Sequence, residues 1–250
     1  MDGSRTYLIG RDEVAVIDPG PDEEDHIRAL SIVLGPARQV RILLTHHHRD
    51  HAGGAVRLAR DLGASISGPP SCQPAGESIG ADPGAASHVG EARFKVLKEG
   101  DAVSTSQGEL LVHEIPGHTR DHLAFHWPAT GALFVGDLLL GRGDTTWVGE
   151  YLGSIGDYLE SLNRVETLGP SVIYPGHGPP ITSPKKVLDQ FRRHRLERLE
   201  QVRAARRENP AADSTELAAA IYGGEIPDRL LKAAAASVDA ALFHLDQPED

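Results

Sequence analysis

The chain has 250 residues, a net charge of -11 and one cysteine, Cys72. One cysteine excludes an intramolecular disulfide and a thiolate-rich zinc site, and the acidic balance argues against whole-surface nucleic-acid binding. No run of about 18 apolar residues is present to span a membrane, and "MDGSRTYLIG" lacks a signal peptide's basic and apolar segments, so a cytoplasmic globular protein is expected.

In chain order, "EVAVIDPG" (13–20) reads as a strand stopped by Asp18-Pro19-Gly20. A helix over 22–34 follows, with Ile27, Leu30 and Leu34 on one face. Val40–Leu44 is a strand apolar on both faces, and a second helix begins near Gly53 with Val56, Leu58, Ala59 and Leu62 inward. The Pro-, Gly- and Ser-rich stretch 68–90 reads as a long surface loop, a lid or simply a mobile connection. "RFKVL", "LLVHEI", "LAFHW" and "ALFVGD" then read as successive strands, several alternating as in a sheet with one buried face. A helix near 155–168 leads into the strand of "SVIYPGHG" (171–178). Pro184 opens a helix over 185–208 that Asn209-Pro210 ends. Two further helical patterns follow at 213–224 and 227–245, with Asp213 or Ser214 as N-cap. Everything beyond residue 184 is helical, so the expected domains are 1–183 and 184–250.

"THHHRDH" (45–51) packs four histidines and an aspartate behind an apolar strand. Histidine and aspartate are the ligands zinc takes when thiolates are absent. A tight turn after the strand aims His46 and His48 one way and the Asp50-His51 pair the other. Seven residues cannot enclose two metals, so further ligands must come from other strand ends. His118 in "IPGHTRDH", Asp137 in "LFVGDLLL" and His177 in "IYPGHG" each follow an apolar strand beside a glycine. Singly, each is equally well a solvated turn residue; for the first cluster the competing account, a polar turn capping the helix that begins at Gly53, is the weaker one. Together they point to a metal site.

HxHxDH, then GH, GD and PGHG in this order resembles the metallo-β-lactamase superfamily of binuclear metallohydrolases. "TYLIG", "VAVIDPG", "GHTRDHLAF", "GDLLLGRGDTTWVG", "EYLGSIGDYLESL" and "IYPGHGPPI" resemble its β-lactamase-like endoribonuclease group, which carries a small winged-helix-like C-terminal domain. The resemblance implies an α/β fold, an αββα sandwich with an all-helical C-terminal appendage, and two Zn2+ per chain. It implies one zinc on His46, His48 and His118, a second on Asp50, His51 and His177, and Asp137 bridging them. Two such cations lower the pKa of a shared water and so supply hydroxide at neutral pH. Asp50 is implied to double as a catalytic proton shuttle. Members of the group carry another strand ahead of the position of Gly3, and a β-wing beyond "ALFHLDQPED"; both are expected to be absent here.

His122 is a candidate catalytic residue that reaches substrate or orients a ligand, with a plain strand-end histidine the competing account. His47 is expected to point away from the ligands, and His113 and His126 to have packing or surface roles. β-Lactamases generally place Cys, or no acidic ligand, where Asp137 stands, so antibiotic hydrolysis is not the expected task. The resemblance favours single-stranded RNA as substrate. Between Phe191 and Arg207 there are seven arginines and two glutamates, which either contact phosphates or form internal pairs such as Arg193–Glu197. The alternative is a small ester, thioester or lactone, as in glyoxalase II, and a non-catalytic metal-bound module is a third reading. Trp147 and Tyr151 are candidates for a substrate wall, with core packing the competing account.

Overall fold

The structure, a computed structural model, describes residues 3–73, 87–89, 92–143, 145–223 and 227–248. Most of the expected lid, 74–86 and 90, lies outside the described residues.

Two sheets face each other. The first runs β1 (Tyr7–Ile9), β2 (Glu13–Ile17), β3 (Gln39–Leu43), β4 (Ser65–Gly68), β6 (Ala92–Val96), β5 (Ser87–Val89). The second runs β11 (Val172–Pro175), β10 (Ala132–Gly136), β9 (Leu123–Trp127), β8 (Gly108–Glu114), β7 (Ala102–Thr105). β2, β3, β4 and β6 are parallel neighbours, as are β10 and β11, while the remaining pairs are antiparallel. Helices α1 (Glu24–Leu34) and α3 (Ala55–Leu62) cover the outer face of the first sheet, with the single turn α2 (Arg49–Ala52) ahead of α3.

The apolar runs of the strands follow from burial on both faces. Val14 and Val16 join Ile27, Leu30 and Leu58 under the helices, while Ala15 and Ile17 turn inward to Leu110, Val112 and Phe125. β10 divides in the same way. Ala132 and Phe134 lie between the sheets, and Leu133 and Val135 face α4 (Ser154–Leu168). In α3 the fully buried residues are Ala55, Leu58 and Ala59, with Val56 and Leu62 only partly covered.

Four strands were not expected. β4 ("SISG") and β7 ("AVST") are short and built of small residues, β1 is three residues long, and β5 falls within the stretch read as loop. Their pairing comes from neighbouring strands rather than from local propensity.

The tail forms α5 (Pro184–Glu208), α6 (Ser214–Tyr222) and α7 (Asp228–Leu245). Asp213 is the N-cap of α6. Its carboxylate accepts from the Thr215 and Glu216 amides, and Glu216 accepts from the Asp213 amide. Among the described residues no named strand follows β11. Leu188, Phe191, Leu199, Leu217, Val238 and Ala241 share one apolar cluster with Leu133, Ile155, Tyr158 and Leu162, so the tail is cored against the second sheet and α4. No helix among the described residues is long and apolar enough to cross a membrane.

Candidate metal centre

The ends of β2, β3, β10 and β11, with the β8–β9 connection, meet at one edge of the sandwich, where the carboxyl ends of parallel strands leave a crevice. β3 delivers Thr45 and the ligand turn. His48 is the N-cap residue of α2, with extended backbone (φ -60, ψ 141), which swings Asp50 and His51 onto the first helical turn. β10 delivers Asp137 and β11 delivers His177. Ser4 bridges to His177 and the Arg5 amide donates to the Gly176 carbonyl, so the N-terminal segment pins this last loop.

The structure brings all seven predicted residues together. His46 Nε2 and His118 Nε2 lie 3.1 and 3.0 Å from His48 Nδ1. His177 Nε2 and His51 Nε2 lie 3.1 and 3.6 Å from Asp50 Oδ2. Asp137 stands between the two groups. Its Oδ1 is 3.4 Å from His51 Nε2, and its Oδ2 is 3.5 Å from His177 Nε2 and 3.9 Å from His118 Nε2.

Hydrogen bonds on the far side of the rings fix which nitrogens face inward. The Thr45 hydroxyl donates to Asp18 Oδ2 (2.7 Å) and therefore accepts from His46 Nδ1 (2.9 Å). His118 Nδ1 donates to the Trp147 carbonyl (2.8 Å), and His51 Nδ1 donates to Asp18 Oδ2 (2.9 Å). Nδ1 of His46, His51 and His118 is thus engaged on the far side, and Nε2 of each points into the site. Ligand atoms around a tetrahedral zinc with bonds of about 2.0–2.1 Å stand roughly 3.3 Å apart, close to the spacing found here. His51 Nε2 and Asp137 Oδ1 are also buried with no hydrogen-bond partner. A cation satisfies both, so the residues present fit a metal ion.

The electrostatics of the first triad agree. Burial, with neighbouring imidazoles adding to it, holds His46 well below the usual range and brings His48 to about 4. Burial lowers His118 as well. These rings stay neutral, the form that ligates. For His51, burial opposes charge, but Asp137 and Asp18 outweigh it and raise its pKa to about 10. Burial likewise opposes the Asp137 carboxylate, and His51, His118 and His177 more than offset that, keeping it ionised.

His122 does not reach substrate. It is fully buried, its ring stacks on His46 with centroids 4.8 Å apart, and its Nε2 accepts from the Asp137 amide at 3.3 Å. The apolar β9 that begins at Leu123 draws it inward, against His46 and the Asp137 amide. His47 turns to Glu150, with 3.2 Å between Nε2 and Oε1, and His113 pairs with Glu99. Trp147 borders the site at 37 % exposure, 6.2 Å from His118 ring to ring. Tyr151 donates to Asp157 and lies under the Arg120 guanidinium. The residue that sequence reasoning missed is Asp18. In "DPG" it looks like an ordinary turn, and its one signal is that a carboxylate follows a strand buried on both faces.

Glycines give the ligands their room. A Cβ on Gly176 would lie 2.3 Å from Asp137 Oδ1 and 2.6 Å from His51 Cε1, and one on Gly136 would lie 2.6 Å from Thr45 Oγ1.

Residues 2–177 match the family described as the metallo-beta-lactamase superfamily. A Caenorhabditis elegans protein named beta-lactamase-like protein 2 homolog is 28% identical over 226 residues, covering 89% of this chain and 72% of its own length. An Aspergillus fumigatus protein named atrochrysone carboxyl ACP thioesterase is 28% identical over 246 residues, covering 92% of this chain and 72% of its own. The crystal structure of a metallo-beta-lactamase family protein from Thermus thermophilus is similar with a TM-score of 0.74 at 25% identity, covering 97% of this chain and 88% of that one. By that match over most of its length, the chain belongs to the metallo-beta-lactamase superfamily, whose members are mostly hydrolases.

Proposed function

We propose that His46, His48 and His118 hold one divalent cation, that Asp50, His51 and His177 hold a second, and that the chain hydrolyses acyl thioesters or esters. The reach of Asp137 carries the two-cation reading, since its two oxygens contact nitrogens of both triads. Nitrogen and carboxylate donors without thiolate suit zinc. Bound there, the cations supply a water of near-neutral pKa and polarise the group under attack.

The chain's own residues do the rest. Asp18, Thr45 and the Trp147 carbonyl hold three imidazoles in the ligating tautomer. The Asp50 side chain is 52% exposed against 12% for Asp137, so Asp50 is the carboxylate that faces substrate and water. Water adds its oxygen to the acyl carbon, the C–S or C–O bond breaks, and Asp50 passes the water's proton to the departing sulfur or oxygen. Trp147 offers an apolar wall beside His118 for the acyl part.

Two observations support an acyl over a phosphodiester substrate. The arginines of α5 are largely engaged within the fold, Arg192 with Glu166 and Asp189, Arg203 with Glu200, Arg206 with Asp246, and Arg195 is buried. A relative aligned over 92% of the chain is named a thioesterase. Single-stranded RNA is the second reading, because the same bridged pair of triads suits in-line displacement at phosphorus.

The test offers zinc-loaded protein and its Asp137→Ala variant an acyl thioester, read by thiol release, and a labelled single-stranded RNA. Thiol release by the wild type alone supports the acyl reading. RNA cleavage without thiol release overturns it in favour of a nuclease. Two zinc bound with neither product points to a non-catalytic module.

A further inference from the structure

Leu188, Phe191, Arg195, Leu199 and Val202 recur on α5 at steps of three and four, and all five are buried. An arginine therefore occupies a core position. Arg195 is 5% exposed, and among the described residues no carboxylate pairs with it. Removing an unpaired guanidinium from water is costly, so its contacts matter. One terminal nitrogen donates to the Thr146 carbonyl at 2.8 Å and lies 3.4 Å from the Thr145 hydroxyl, and the guanidinium carbon sits 5.3 Å from the centre of the Tyr158 ring.

The next residue is Trp147, whose carbonyl accepts from His118 Nδ1. α7 grips the same segment. The Trp147 indole donates to the Ala233 carbonyl at 3.0 Å, and the Ser237 hydroxyl donates to the Val148 carbonyl at 2.7 Å. Gly149 lets the two elements close, since a Cβ there would stand 2.8 Å from the Ser237 amide nitrogen. Residues 146–148 are thus fixed by the tail on one side and orient a predicted ligand on the other.

We propose that Arg195 is a positioning residue for the metal centre. Acting through Thr146 and Trp147, it sets the ring orientation of His118, which makes the C-terminal helices a working part of the site. The inference rests on the reading of His118 as a ligand. Because His118 belongs to one triad only, the inference requires an effect on one of two metals. An arginine with nothing but a packing role affects both alike.

The experiment titrates Zn2+ and Co2+ into metal-stripped wild type, Arg195→Met and Arg203→Met, reading stoichiometry, affinity and the Co2+ visible spectrum, with circular dichroism as a check of folding. Wild type is expected to take up two ions. Arg195→Met is expected to hold the ion on Asp50, His51 and His177 unchanged and to bind the other at least about tenfold more weakly, with an altered Co2+ spectrum. Arg203 is paired with Glu200 on the outer side of the same helix, and its variant is expected to match wild type. Folded Arg195→Met that binds both ions like wild type, or weakens both equally, overturns the inference and leaves the metal reading standing. A wild type that takes up no metal overturns both. If Arg195→Met does not fold, Arg195→Gln, which is too short to keep the bond to the Thr146 carbonyl, is read in the same way: selective weakening supports the inference, and unchanged or equally weakened binding overturns it.

Discussion

Asp18 and His51 are joined by a buried 2.9 Å contact between Oδ2 and Nδ1. The same carboxylate accepts the Thr45 amide (2.8 Å) and hydroxyl (2.7 Å), and that hydroxyl accepts from His46. One aspartate therefore sets the tautomer of a histidine in each triad. It does so from a left-handed backbone (φ 49), a conformation that costs a non-glycine residue energy and clusters at functional sites.

Asp18→Ala is expected to weaken both metals, each by about 10–100-fold, because His46 and His51 lose their shared orienting acceptor. Asp18→Asn keeps the shape but turns one acceptor oxygen into a donor, so either the Thr45 amide bond at Oδ1 or the Thr45 hydroxyl and His51 bonds at Oδ2 are lost, and an intermediate loss follows. Competition against a chelator of known affinity measures this. Wild-type affinity in Asp18→Ala would exclude the role.

Gly176 gives a sharper steric prediction. A methyl group there must displace Asp137 or His51, both buried and both held by other bonds. Gly176→Ala is expected to fold, because the strand before it is unchanged, yet to lose bound zinc and at least about tenfold in activity. Metal analysis of the purified variant beside its circular dichroism spectrum decides the matter. Full occupancy would show that the loop yields instead.

How much of this was legible in the sequence differs by element. The seven candidate ligands stand out because polar groups are rare at the ends of strands buried on both faces, and the long helices carry clear periodicity. Asp18 was hidden by its turn-like neighbours, and β4 and β7 by small residues whose pairing is supplied from elsewhere in the sheet. Arg195 was hidden by six neighbouring arginines, which made the helix read as a solvated face. Its position between Phe191 and Leu199 on the apolar stripe was the available signal. Among the described residues the expected Arg193–Glu197 ion pair is not formed. Arg192 and Arg203 pair at i,i+3 instead, with Asp189 and Glu200.

The histidines predict how the metal-stripped protein responds to pH. Burial and neighbouring imidazoles hold His46 and His122 well below the ordinary range and His48 at about 4. The unfolded chain protonates all three near pH 6.5, so it binds more protons than the folded one and stability falls as pH drops from about 6.5 toward 4. His51 runs the other way. With a folded pKa raised to about 10, its contribution is whole below about pH 6.5 and fades as pH climbs toward 10. Melting temperature is therefore expected to peak near neutrality, with the acid limb steeper because several lowered imidazoles, His118 among them, act there against one. Thermal melts of metal-stripped protein from pH 4 to 10 measure this, and a melting point that rises between pH 7 and 5 would contradict it.

The shared core predicts what happens if the chain is cut at the boundary that composition suggests. Ending it after Ser183 removes Leu188, Phe191, Leu199, Val202, Leu217 and Val238 from a cluster they form with Leu133, Ile155, Tyr158, Leu162 and Val165. Each large side chain uncovered forfeits about 1.5–3 kcal/mol of burial, against a total stability of about 5–15 kcal/mol for an ordinary domain. Losing three or four such contacts is enough to unfold it. Residues 1–183 alone are expected to be insoluble or to lack a cooperative melt, while the full chain melts in one transition. The cut also removes Arg195, Ala233 and Ser237, so any folded fragment is expected to have lost the ion on His118 first. A soluble 1–183 fragment with a cooperative melt and two bound metals would show instead that the sandwich stands alone and that the tail is an independent module.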